Sequence, residues 1–167
     1  RFQHAHSKDP VCSASRSRFN VGHYHTTTGT HRNRSNLQDG YLLPGDARLV
    51  SHLLRDAGYS SDIFVETADP RLEDLTRDFR DLVEASHRDN ILIHHFSIGS
   101  KASRVAYALP DRMVLVYHNI TPPEYFVDVH RLLVRLCYHG RRELAAYVDR
   151  CDLALGDSEF NRRELEA

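Results

Sequence analysis

The chain has 167 residues, 41% hydrophobic and 27% charged, which suits one domain of roughly 100 to 200 residues with its own core and excludes two independent ones. Its 22 Lys and Arg against 23 Asp and Glu leave a net charge of -1, so no chain-wide attraction to nucleic acid or an anionic membrane is expected. No run approaches the roughly 18 apolar residues of a membrane span, and the first residues carry no apolar signal stretch, so the expected location is cytoplasmic.

Residues 1–36 differ in composition from the rest. Arg1, Lys8, Arg16, Arg18, Arg32 and Arg34 face a single acid, Asp9, a net +5 that leaves -6 for the remainder. Rich in Ser, Thr, His and Arg and without an apolar period, this leader is expected to be flexible or poorly docked. From residue 37 onward short β-rich runs alternate with amphipathic helices. The first run, 37–43, is a weak strand interrupted by Asp39 and Gly40. Residues 46–57 place Leu49, Val50, Leu53, Leu54 and Ala57 at helical spacing, with Gly58 where a left-handed cap is expected. A short strand follows at 63–65, and the acidic, weakly periodic stretch 70–83 is read as helical.

Residues 90–95 read as a buried strand. Ser100 caps a short helix carrying Ala102, Val105, Ala106 and Leu109, which Pro110 stops. Residues 113–117 form the clearest strand, and a long helix then presents Leu132, Leu133, Leu136, Leu144, Tyr147 and Val148 on one side. A last strand spans 152–155. Ser158 opens a helix that runs out at Ala167, short of the usual length of about ten residues, so the chain is expected to continue. The whole predicts an α/β fold, a Rossmann-like open parallel sheet with helices on both faces, over residues 37–167.

In such sheets ligands bind beyond the carboxyl ends of the strands. Four segments lie there: Pro44 to Ala47, Phe96 to Ser100, His118 to Glu124, and Gly156 to Glu159. At the first, Gly45 lets a backbone approach a ligand and the helix beginning near Asp46 offers free N–H groups to an anion; from physics alone a tight turn with Asp46 as an ordinary N-cap is favoured over a ligand site. His94 and His95 are adjacent, so they point to opposite faces of their strand, and at least one is expected to be structural. His118, directly after a buried apolar strand, is placed to hydrogen-bond a polar substrate. Cys12, Cys137 and Cys151 have neither CxxC spacing nor the density of a disulfide scaffold, and Cys137 is expected to be a buried structural thiol. The pairs His4/His6 and His23/His25, with Cys12 and His31, match no closed zinc pattern. No metal and no cofactor are expected.

The segments GDA before a helix, AGYSSDIFVE, ILIHHFSIGS, VLVYHNITPPEYF and DLALGDSEFNRREL, in that order, resemble the N-terminal domain of family 4 glycosyltransferases of the two-Rossmann-domain (GT-B) type. The resemblance covers about residues 42–167. It implies a retaining transferase whose N-terminal half holds a sugar or glycan acceptor and whose C-terminal domain, expected to be missing here, holds the nucleotide-sugar donor. It further implies His118 as the catalytic residue contacting the donor sugar. The implied substrate-binding residues are Gly45, Asp46, Ala47, Gly99, Asn119, Thr121, Ser158 and Glu159. The implied partners include no nucleic acid and leave room for peripheral contact with a membrane. The weak first strand and residues 1–36 depart from the family's pattern. Alone, the 167-residue chain is expected not to turn over. The rival reading is a non-catalytic Rossmann-like module that binds a ligand or docks a partner.

Overall fold

The computed structural model describes residues 48–68 and 70–166. The leader, the expected strand at 37–43, the Gly45 to Ala47 loop and the paired histidines near the start lie outside these residues. Two units divide after Ile63. In the first, α1 (Val50–Asp56) begins with the Leu49 N–H donating to His52 Nδ1 at 3.2 Å. It ends at Ala57, and Gly58 follows with φ of +87°, the left-handed conformation that closes a helix and that glycine adopts without strain.

The second unit opens with β1 (Phe64–Val65), paired in parallel with β2 (Arg77–Asp78). The stretch read as a helix over 70–83 is instead broken into pieces: a 3-10 turn over Pro70–Leu75, β2, a second 3-10 turn over Phe79–Asp81 and the single turn α2 (Leu82–Ala85). Asp78 is the reason for the last break. Its carboxylate accepts from the Arg80 N–H at 2.8 Å and pairs with the Arg80 guanidinium, so it starts a new turn in place of continuing an old one. With no continuous apolar stripe to bury, nothing offsets the interruption.

The main sheet is β3 (Ile91–Phe96), β4 (Arg112–Tyr117) and β5 (Leu153–Gly156), all parallel, with β4 in the middle. Two helices make the crossovers: α3 (Lys101–Ala108), whose Ser100 side chain accepts from the Ser103 N–H at 3.0 Å, and α4 (Arg131–Arg150). A final helix, α5 (Glu159–Glu166), follows β5. The architecture is mixed α/β, two small open parallel sheets with helices around them.

Alternation along the strands assigns the faces. Leu92, His94 and Phe96 of β3 share one face with Met113, Leu115 and Tyr117 of β4, and all but Leu92 and His94 of these are fully buried. The helices cover this face. Tyr147 of α4 packs on Phe96 with ring centroids 4.7 Å apart and on Tyr107 of α3 at 5.2 Å. The Tyr117 hydroxyl donates to Glu164 of α5 at 2.8 Å. Cys137 lies in the same core, its thiol pushed up by burial. At the far end the Arg150 guanidinium gathers the carbonyls of Tyr107, Leu109 and Asp111, tying the end of α3 to the end of α4. On the opposite face, Ile91, Ile93 and Leu153 at the amino ends of the strands keep 64%, 38% and 39% of their surface exposed. Among the described residues no helix is long and apolar enough to cross a membrane.

Two contacts yield tests. The loop leaving β3 lies directly on α4: a Cβ on Gly140 would stand 2.6 Å from the Gly99 backbone nitrogen and 3.0 Å from Ile120 Cδ1. Glycine in mid-helix is unfavourable by roughly 0.5–1 kcal/mol, so close approach is what requires it here. Gly140→Ala is expected to lose about 1–3 kcal/mol through overpacking, read from urea unfolding.

His94 lies between Phe96 and Tyr147, with ring centroids 5.8 and 5.6 Å away. Its Nε2 is buried without a partner among the described residues. Burial lowers its pKa from the ordinary 6.5 to about 4. The folded state therefore resists a proton that the unfolded chain accepts, and the gap is worth roughly 3 kcal/mol. This contribution is complete above pH 6.5 and is lost progressively as pH falls toward 4. Denaturant melts across that window are expected to show the loss in the native chain and a flatter profile in His94→Leu.

Candidate functional site

The ladder through β4 does more than close the core. His118 N–H donates to the Phe96 carbonyl at 3.0 Å and Asp157 N–H to the Tyr117 carbonyl at 3.2 Å, so the parallel pairing runs one residue past the strands. Register pairs His95 with Val116 and Val116 with Leu155. By alternation His95, His118 and Asp157 therefore project from one face, the one opposite α3 and α4, at the carboxyl ends of three adjacent strands.

Their side chains meet. His118 Nδ1 lies 3.1 Å from Asp157 Oδ2, and His118 Nε2 lies 2.7 Å from His95 Nδ1. The two imidazoles are parallel within 6° with centroids 5.0 Å apart, and the short nitrogen contact makes this an edge-to-edge arrangement sharing an in-plane hydrogen bond. The second carboxylate oxygen of Asp157 accepts from the Asn161 side-chain amide on α5. Burial grades along the cluster. The His118 side chain is 0% exposed, that of Asp157 12%, and His95 is half-buried. In so dry a site a charge-assisted hydrogen bond to Asp157 is strong.

The loop after His118 is held by a second polar group on the helix side. The Tyr117 hydroxyl donates to Glu164 and accepts from the Ile120 N–H at 3.2 Å. Arg141 of α4 then joins the Ile120 carbonyl at 2.7 Å to the other Glu164 oxygen at 2.6 Å. Burial, with Glu164 beside it, pushes the Tyr117 hydroxyl well above its usual range, so it stays a neutral donor. Between these anchors Asn119 takes φ of +71°, and its Oδ1 is buried without a partner among the described residues. Thr121 is exposed on the loop.

The expected site residues thus fall into three groups. His118 is drawn into a cluster with His95 and Asp157, and Asn119 and Thr121 lie on the loop that follows it. Gly99, Ser158 and Glu159 have structural contacts of their own. Gly99 lies against Gly140. The Ser158 hydroxyl accepts from the Asn161 N–H at 3.2 Å and opens α5. Glu159 pairs with Arg162 and Arg163, and the Arg162 guanidinium holds its carboxyl from the ordinary 4.5 down to about 2. Gly45, Asp46 and Ala47 lie outside the described residues.

Asp157 and His95 were not singled out by the sequence as functional. The signal was present: the position after β5 aligns with that after β4, and the outward histidine of the HH pair is the one that shares a face with His118. Among the described residues no group of three or more His, Cys, Asp or Glu side chains could hold a metal ion. The 2.7 Å between the two ring nitrogens is too short to admit an ion needing about 2.0 Å to each. A groove of about 440 Å³ between α4 and α5, lined in part by Arg141, Leu144 and Glu164, lies on the helix side, away from the histidines.

No protein-family model, no curated protein and no solved structure matches the chain.

The cluster makes its own stability prediction. Removing the carboxylate leaves the His118 ring and the Asn161 amide without their acceptor, so Asp157→Ala is expected to cost about 1–3 kcal/mol. Asp157→Asn, which keeps an oxygen for one of them, is expected to cost less. Urea unfolding of the two variants beside the native chain measures both.

Proposed function

We propose that the chain is the N-terminal, acceptor-side domain of a retaining glycosyltransferase of the GT-B type, a cytoplasmic enzyme that moves a sugar from a nucleotide-sugar donor to a sugar or glycan acceptor. The observation that carries this reading is the placement of His118: beyond the carboxyl end of the central parallel strand, clustered with residues from both neighbouring strands. Open α/β sheets bind their ligands in that crevice. The ordered resemblance of five segments to family 4 glycosyltransferases supports the reading, as does the βαβαβ arrangement, which suits a Rossmann-like half.

On this reading the acceptor hydroxyl meets the anomeric carbon of the transferred sugar on the face from which the nucleoside diphosphate departs, as retention of configuration in one step requires. Alignment of the two reactants and stabilisation of the departing charge carry the rate. The cluster around His118 supplies the first, because a side chain with both ring nitrogens engaged holds one orientation. The basic residues that stabilise a leaving diphosphate belong to a C-terminal domain.

The test uses the product of the whole reading frame with a panel of nucleotide sugars and glycan acceptors. His118→Ala is expected to lower kcat/KM by about 10 to 1000-fold, the equivalent of roughly 1.4 to 4 kcal/mol. His94→Ala, on the helix side of β3, is expected to lose stability and keep its turnover per folded molecule. Binding of a nucleotide sugar without turnover under any acceptor would favour the non-catalytic ligand-binding module. Early melting of His118→Ala with native kinetics would make His118 a structural residue.

A further inference from the structure

His118 lies between two partners and its side chain is fully buried, so a ligand in the crevice meets this cluster through another of its members. The acidic end sets the direction of every hydrogen bond. An ionised carboxylate only accepts, so Asp157 Oδ2 takes the Nδ1–H of His118 across 3.1 Å. A neutral imidazole carries one N–H, which leaves the lone pair of His118 on Nε2. Across the 2.7 Å contact His95 Nδ1 must then be the donor. The same one-proton rule makes His95 Nε2 an acceptor, whatever donor it meets.

We infer that His95 is the residue that takes the hydrogen bond, and then the proton, of a hydroxyl group on the ligand, with His118 and Asp157 as positioning residues that fix its tautomer. The identity of that hydroxyl, the acceptor sugar's, rests on the glycosyl-transfer reading; the tautomers do not. Three features support the assignment. His95 is half-buried, whereas the other two members of the cluster are more enclosed. Its ring is held coplanar with that of His118, within 6°, the geometry a shared in-plane proton needs. A carboxylate that orients one imidazole so that a lone pair is presented elsewhere is the arrangement by which acid–base groups are activated.

The step balances as follows. The acceptor oxygen forms its bond to the anomeric carbon on the face from which the diphosphate departs, while the bond from that carbon to the diphosphate oxygen breaks and the diphosphate leaves with that electron pair. The hydroxyl proton goes to His95 Nε2. His95 passes its Nδ1 proton to His118 Nε2 and ends neutral, now with its N–H on Nε2. The positive charge rests on His118, against the Asp157 carboxylate, until a proton is lost to water and the original tautomers return. One added proton thereby converts the outer nitrogen of His95 from acceptor to donor.

Histidine-ring 1H–15N spectra of this chain at neutral pH test the arrangement directly, with His95→Gln, whose amide can still donate to His118, assigning the resonances. Both His95 and His118 are expected in the Nδ1–H form with Nε2 unprotonated. A neutral His95 carrying its proton on Nε2, or a His118 unprotonated at Nδ1, would overturn the proposal, and the native spectrum needs no variant to fold. Asp157→Ala removes the acceptor, so His95 is expected to exchange between both tautomers; a single unchanged Nδ1–H form there would deny Asp157 its role. In the product of the whole reading frame, His95→Gln is expected to lower kcat by about 100-fold or more with KM changed only a few-fold; an unchanged kcat would overturn the proton step. If the native enzyme turns over no nucleotide sugar, the glycosyl-transfer reading fails, and the ring tautomers still decide whether His95 presents the acceptor nitrogen.

Discussion

The parallel register that binds β4 to both neighbours is the constraint on which the remaining structure rests. Because the ladder on one side pairs Phe96 with Tyr117 and on the other Tyr117 with Gly156, the three strands end in line. The residues that follow them cannot avoid one another. An offset of one residue in either pairing would send His95 or Asp157 to the other face of the sheet, since the side-chain period of a strand is two. The core would feel the same slip. Phe96, Met113, Leu115 and Tyr117, all fully buried, would exchange places with the residues of the opposite face. Burial of these large side chains therefore enforces the register, and the register assembles the polar cluster.

The two faces divide the work. On the helix side the contacts are packing contacts with a few neutral or paired polar groups: aromatic rings around Tyr147, the backbone approach of Gly99 to Gly140, and the linked Tyr117, Glu164, Arg141 and Ile120. These fix where the loop after β4 begins and how it leaves the sheet. On the other side the same loop carries His118 into contact with Asp157 and His95. Ile120, with no exposed surface, anchors the loop while Asn119, in a left-handed conformation, turns the chain between the two faces. A rigid helix face thus holds the polar face at fixed geometry, which acid–base chemistry requires.

Most of the architecture was legible in the chain because its apolar patterning is strong where the sheet forms. The runs that became β3, β4 and β5, the Ser100 cap, Pro110 after α3, Leu144 and Tyr147 on the apolar face of α4 and Gly58 after α1 all state local preferences that the tertiary structure keeps, whereas Leu132, expected on that same face, is exposed. The weak periodicity of 70–83 reads as one helix, but Asp78 offers the backbone a competing side-chain acceptor, so the stretch forms separate short helical turns around β2. The glycines were legible as special but not in kind: Gly99 reads as a ligand-loop glycine, and only the fold reveals Gly140 behind it. The candidate site was half legible. His118 announces itself by following a buried strand, but Asp157 lies 39 residues away, and no local pattern reports a partner brought in by strand order.

The adjacent pair His94 and His95 shows how far one strand position alters a side chain's chemistry. Both rings belong to β3 and both are partly or wholly shielded. His94 faces the aromatic core, where burial lowers its pKa to about 4 and its Nε2 has no partner among the described residues; at neutral pH it is uncharged and acts as an apolar ring. His95 faces the other way and meets a second imidazole that is itself held by a carboxylate. There the ring joins a hydrogen-bonded chain that ends on the Asp157 carboxylate. The same residue type is excluded from proton chemistry on one face and recruited to it on the other, and the difference comes from what the neighbouring strand presents opposite each position: Leu115 opposite His94, and, beyond Val116 opposite His95, His118 at the next outward place.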